Sequence, residues 1–166
     1  MNRPETPARD QIPALLPRLR RFARTITRHP ADADDLVQIT VERALLRLDQ
    51  WRSDTRLESW LFTIMKNLWI DEVRARVRRD RVLAPEEAGE NVGSGSSEAQ
   101  ATAMSIEAAM ARLPDEQRIA VALVLVEGLS YKEAAAVAQV PMGTLTSRLA
   151  RGREALMQML SNGGET

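Results

Sequence analysis

Cysteine is absent, which rules out disulfides and thiolate metal sites alike. Histidine occurs once, His29 beside Pro30, so catalytic dyads and imidazole metal centres have almost nothing to draw on. Its setting reads as a loop. Aromatics are scarce, at three Trp, two Phe and one Tyr. No segment alternates with period two for long enough to suggest a sheet. The longest apolar run, Ile119 to Val126, is far too short to span a bilayer, and the N-terminus has no signal-peptide core. A cytoplasmic chain without membrane insertion is expected. No Gly-rich phosphate loop and no clustered ligand pattern occur, so no catalytic residue, cofactor or metal site is expected and an enzyme is disfavoured. What remains is rich in Ala, Leu, Arg and Glu, which favours an all-α fold.

Twenty-three basic and twenty-three acidic side chains cancel, yet their order is blocked. Residues 1–30 carry a balance of +5, 31–50 of −3, 51–81 of +3, 82–117 of −6 and 118–166 of +1. Basic surfaces separated by an acidic connector suit a protein that touches both DNA and another protein.

Helical periodicity predicts a first helix from about Pro13 to Arg28, with Leu16, Leu19, Phe22, Ala23 and Ile26 on one face. Asp32 would cap the next, whose core stripe is Leu36, Val37, Val41, Ala44, Leu45 and Leu48. Asp35, Gln38 and Glu42 fall opposite, a pattern that suits a solvated face or a partner-binding helix. Asp49 to Arg56 is a polar loop holding Trp51. A long helix, Leu57 to about Arg81, has a broad apolar side and then five Arg within eight positions. Favourable charge at a helix C-terminus needs fewer, so phosphate contact is the better account. From Val82 to about Ala103 Pro, Glu, Gly and Ser dominate, marking an acidic flexible linker.

Beyond the linker a helix ends at Leu113-Pro114, and another spans Asp115 to Glu127 before Gly128. Ser130 and Glu133 form an S-x-x-E capping box ahead of a short Ala-rich helix, Tyr131 to about Ala138. Gln139-Val140-Pro141 breaks it. A second helix follows from about Gly143 to Leu160, with Leu145, Leu149, Leu156 and Leu160 on its apolar side. Thr144, Thr146, Ser147, Arg148 and Arg151 sit where a helix-turn-helix presents side chains to base edges and phosphates. By itself the hairpin also fits any αα-packing unit.

Asp32-Ala-Asp-Asp-Leu-Val-Gln38, Trp60-Leu-Phe-Thr-Ile-Met-Lys-Asn-Leu-Trp-Ile-Asp71, Leu113-Pro114, Gly128-Leu-Ser-Tyr131 and Pro141-Met-Gly-Thr-Leu-Thr-Ser-Arg-Leu149 together resemble the bacterial extracytoplasmic-function (ECF) sigma factors. The resemblance covers about Leu15 to Leu160, with both halves in order. It implies two small helical domains, residues 1–81 and 104–166, joined by a linker over 82–103, the second being a helix-turn-helix. In such a factor Asp35, Gln38 and Glu42 would bind the clamp helices of the largest subunit of core RNA polymerase. Trp51, Arg52, Lys66, Asn67, Arg74 and Arg78 would face the −10 element of promoter DNA and take part in melting it. Thr144, Thr146, Ser147, Arg148 and Arg151 would read the −35 element. Many relatives answer a stress or environmental signal and are held inactive by an anti-sigma factor.

The chain departs from the family pattern at Thr146, where Lys or Arg is common, and at Ile39, where an acid is common. Gly152 within a helix costs about 1 kcal/mol relative to Ala and marks a close approach to a neighbour. A helix-turn-helix repressor or activator is the competing reading. It would bind duplex specifically without polymerase and would show a self-complementary dimer face. No heptad seam is present, and that reading leaves Trp51 and the basic helix without a role.

Overall fold

A computed structural model describes residues 6–83 and 105–162, which form seven α-helices and no strand. The first, α1, spans Ala8–Thr27 and so starts before the expected Pro13. Pro13 and Pro17 lie inside it, and each removes a donor from the helical ladder. Both are exposed and one turn apart, so the carbonyls they leave unpaired lie on the solvent side. Ile12, buried on the other side, holds that early turn down. Arg28 ends α1 with φ 72°, a left-handed cap that is uncommon without glycine.

Helix α2 spans Pro30–Leu46 with Pro30 in its first turn, where a missing N–H costs nothing. Asp32 is not its cap. Its carboxylate instead receives Arg76 of the following long helix at 2.8 and 3.1 Å. Leu36, Val37, Thr40 and Ala44 face inward, whereas Leu45, expected in the core stripe, is exposed. A 3₁₀ turn, Leu48–Gln50, leads through the polar loop to α3, Leu57–Val82. Leu19, Phe22 and Ile26 of α1 meet Leu61, Phe62 and Met65 of α3 in a fully buried core. The Phe22 and Phe62 rings pack tilted at 4.8 Å, a geometry aromatic quadrupoles favour.

The acidic connector lies outside the described residues beyond Leu83, and Val82 still belongs to α3. Ser105 caps α4, Ile106–Arg112, by accepting from the Ala108 N–H. Helix α5, Asp115–Val121, was expected to run to Glu127. It widens after Val121 into a π turn over Ala122–Val126, closed by Glu127 N–H donating to Ala122 O at 2.8 Å. That turn carries Glu127 inward, and Gly128 with φ 73° reverses the chain.

Ser130 accepts from Glu133 N–H at 3.1 Å and so caps α6, Tyr131–Ala138. The Glu133 side chain pairs with Arg56 at 3.3 Å. Gln139 in the left-handed region closes α6, with Val140 N–H reaching back to Ala135 O as in a Schellman turn. Helix α7, Met142–Asn162, then packs across α5 and α6 through Leu145 and Leu149. Leu160, expected on this apolar side, is exposed.

The two groups of helices are in contact. Helix α1 packs on α4, α5 and the π turn, and α3 packs on α6. Gly152 lies where α7 crosses α5, and a Cβ there would sit 2.8 Å from Val121 Cγ2 and 3.4 Å from Gln117 O. Gly152→Ala should therefore lower the unfolding free energy by about 1–3 kcal/mol through overpacking, despite the roughly 1 kcal/mol that alanine adds to helix propensity. Urea denaturation measures it. An unchanged or raised midpoint would show that Val121 gives way.

Candidate nucleic-acid interface

The capped α6, its left-handed stop and Pro141 aim the first turns of α7 away from the core. Leu145 and Leu149 point down, so Thr144 and Arg148 lie half-exposed and Ser147 and Arg151 are exposed. Thr144, Ser147, Arg148 and Arg151 line one side of a surface groove of about 410 Å³, with Pro114, Glu116 and Gln117 opposite. Thr146 turns its hydroxyl back to Gly143 O at 3.0 Å, which leaves it a weaker candidate for base contact. Arg148 is held by Glu116 at 3.5 Å. Side chains of this reach and polarity on the first turns of a supported helix can meet base edges and phosphates in a major groove.

The −10 candidates are divided by the structure. Arg52 is exposed on the loop, and Arg74 and Arg78 are exposed on α3. No carboxylate pairs with these three among the described residues. Trp51 is half-buried against the core, with its indole N–H enclosed and without a partner. Asn67 is half-buried. Lys66 is only 4% exposed. Its Nζ donates to Gln139 Oε1 at 2.9 Å and to Ala138 O at 3.4 Å, at the electronegative end of α6. Burial, reinforced by the nearby Arg148 charge and opposed by Asp71, lowers the Lys66 pKa from its usual lysine value. In this arrangement Lys66 faces the C-terminal helices. Periodicity could not separate it from Asn67, because both stand on a helix whose apolar side is unusually broad.

The arginine cluster also has two jobs. Arg76 is bidentate to Asp32, bonds Glu72 at 3.0 Å and lies 5.4 Å over the Trp69 ring. Arg79 joins it on Glu72 at 3.1 Å. Arg76 thus ties α2 to α3, with Arg79 bracing Glu72 within α3, while Arg74 and Arg78 face solvent.

On α2, Asp35, Gln38 and Glu42 are all exposed, Gln38 and Glu42 standing 3.5 Å apart. Ile39, at 46% exposure, lies among them. It and Asp35 border a groove of about 510 Å³ between α2 and α3, with Leu36, Leu68 and Trp69 below. The face is therefore acidic with an apolar centre, a composition that fits a protein partner better than a nucleic acid.

Residues 12–79 match Sigma-70 region 2, and residues 103–156 match Sigma-70, region 4. The ECF RNA polymerase sigma factor EcfG of Rhodopseudomonas palustris is 37% identical over 152 residues, which are 92% of this chain and 84% of that protein. This chain belongs to the ECF RNA polymerase sigma factors. SigM of Mycobacterium tuberculosis, another, is 35% identical over 142 residues, 86% of this chain and 71% of SigM. The sigma factor RpoE of Bartonella quintana, solved with the anti-sigma factor NepR, superposes with a TM-score of 0.73 at 32% identity, covering 90% of this chain and 94% of RpoE. As a member of this family the protein directs promoter-specific transcription initiation. No helix among the described residues is long and apolar enough to cross a membrane.

The α2 face of this sigma factor rests on the Asp32–Arg76 pair. Hydrogen bonding from Arg76, the largest influence, holds the Asp32 carboxyl below its ordinary 3.8 despite partial burial. A carboxyl lowered in the fold contributes stability above its unfolded pKa and loses it as pH falls through the folded value. Asp32→Asn should thus cost about 1 kcal/mol near neutral pH, and the difference from wild type should vanish at pH values below the depressed pKa. Thermal melts of both proteins across pH 2 to 7 test this. A difference independent of pH would remove the ion pair as its cause.

Proposed function

We propose that the two halves divide the work of initiation. Residues 1–81 bind core polymerase and open the −10 element, and residues 104–166 read the −35 element, as a non-catalytic cytoplasmic subunit. The observation that carries this is the first turns of α7. They hold Ser147 and Arg151 exposed and Thr144 and Arg148 half-exposed on a helix fixed by buried leucines. The mixed face of Asp35, Gln38 and Glu42 around Ile39 supports the polymerase role, with the clamp helices of the largest subunit as its partner. Arg52, Arg74 and Arg78 supply phosphate contacts in the −10 region. Lys66, Asn67 and Trp51 join them once the face of α3 is uncovered. RpoE was solved with the anti-sigma factor NepR, which supports a similar inhibitor here, released by a stress or environmental signal.

Run-off transcription on genomic DNA with purified bacterial core polymerase tests the reading. Added protein should yield new discrete 5′ ends that share two upstream elements. Footprints by the protein alone, with no new starts, would favour a repressor or activator instead.

Substitutions separate the two halves. Arg148→Ala should reduce discrimination between the −35 sequence and its variants by about tenfold, with core binding unchanged. Asp35→Ala combined with Glu42→Ala should do the reverse, weakening core binding measured by fluorescence anisotropy. If Arg148→Ala abolished core binding, the assignment of the halves would be wrong.

A further inference from the structure

Three of the side chains assigned to the −35 element carry hydroxyls, and that of Thr146 is already engaged. It donates to Gly143 O at 3.0 Å, three positions back along α7. A hydroxyl has one proton, so none is left to offer a base. Branching at Cβ extends the consequence to the rest of the side chain. Holding the oxygen on Gly143 fixes χ1, and the γ-methyl is fixed with it. The methyl is therefore ordered before any DNA arrives, and contact with it costs no rotamer freedom.

The placement of Thr146 on α7 suits an apolar contact. Leu145 and Leu149 are buried beneath it. At about 100° per residue, Thr144, Arg148 and Arg151 fall on one edge of the outward face and Thr146 with Ala150 on the other. The first edge is polar and lines the groove of about 410 Å³ that faces Glu116 and Gln117. Thr146, half-exposed, lies outside that groove, and exposed Ala150 one turn on brings no polar atom to its edge. Lys or Arg at this position would extend a cation toward guanine O6 and N7. Threonine cannot. What it offers instead matches the one apolar mark in the major groove, the C5-methyl of thymine.

We infer that Thr146 is a specificity-determining residue of this sigma factor, reading one thymine of the −35 element through contact between its γ-methyl and the C5-methyl of the base. Exposed Ser147 and Arg151, on the same outward face, supply the polar contacts that set its register. This contact rests on the −35 role proposed for α7. A methyl contact carries no charge, so it sorts thymine from cytosine without changing how binding responds to salt.

Deoxyuridine provides a probe that differs from thymidine by that methyl alone. Promoter duplexes recovered by run-off are rebuilt with each −35 thymine, on either strand, replaced in turn. Binding of holoenzyme, assembled from core polymerase and the full chain, is measured by competition. One replacement should weaken wild-type binding about fourfold, the equilibrium factor for one methyl-sized group removed from water. Thr146→Ser keeps the hydroxyl and lacks the methyl, and with it the fourfold difference should disappear. Thr146→Val keeps a methyl without the hydroxyl, and with it the difference should persist. Both changes fall at a half-exposed position and should leave a cooperative melt.

No response at any thymine, or a response retained by Thr146→Ser, would overturn the methyl contact. A response lost in both variants would make Thr146 a support for its neighbours and overturn it equally. Exchange of whole −35 base pairs separates this contact from the role it rests on. Wild type that discriminates among base pairs, but not between thymine and deoxyuridine, loses the methyl contact and retains the −35 role of α7. Indifference to every exchanged pair removes that role as well.

Discussion

A guanidinium with no exposed side-chain surface sits where the two halves meet, and much of the fold depends on satisfying it. Arg118 of α5 donates to Met110 O at 2.9 Å, to Asp115 at 2.7 Å, and to the carbonyls of Ala111 and Leu113. It also reaches Ile26 O of α1 at 3.0 Å. Those oxygens come from the end of one helix, the turn after it and the last turn of a helix in the other half. A buried cation is tolerable only with such partners, because an unpaired one costs several kcal/mol. Desolvation lowers the Arg118 pKa from its usual value, and Asp115 opposes the shift. The planar fork of arginine fits several carbonyls at once; lysine could not serve them.

Around that point the same side-chain types do two kinds of work. Arg18, Arg21, Arg76 and Arg118 organise structure, each on a carboxylate or carbonyl within the chain. Arg52, Arg74, Arg78 and Arg151 remain exposed. The neutral total charge thus combines an internal ion-pair scaffold with outward cations and outward acids that balance one another. That balance limits how strongly the free protein can bind duplex DNA without polymerase.

Much of the architecture was legible in the residues. Helical periodicity with Pro, Gly and Ser punctuation located the long helix from Leu57, the Ser130 cap and the stop at Gln139. All three are local effects of backbone chemistry. The close approach at Gly152 was legible too, since a glycine within a helix needs a reason. The start of α1 was misjudged because prolines normally open helices; buried Ile12 outweighs their cost here. Asp32 resembled a cap because capping depends on neighbours in sequence, whereas its partner Arg76 lies 44 positions away. The π turn before Glu127 left no trace in a run of Ala, Val and Leu that fits an ordinary helix equally well.

By itself the sequence determined the all-α class, the order of the two halves, the family and the residues on the outer face of α7. These follow from side-chain periodicity and from backbone groups within a few positions of one another. Only the tertiary structure decided which charges face outward. Lys66, expected to face DNA, is buried, and so are the charged Glu127 and Arg118, each by a helix from elsewhere in the chain. Burial of a charge depends on whether a partner of the right geometry is delivered from a distance. No local pattern encodes that delivery, because it is a property of how the helices pack.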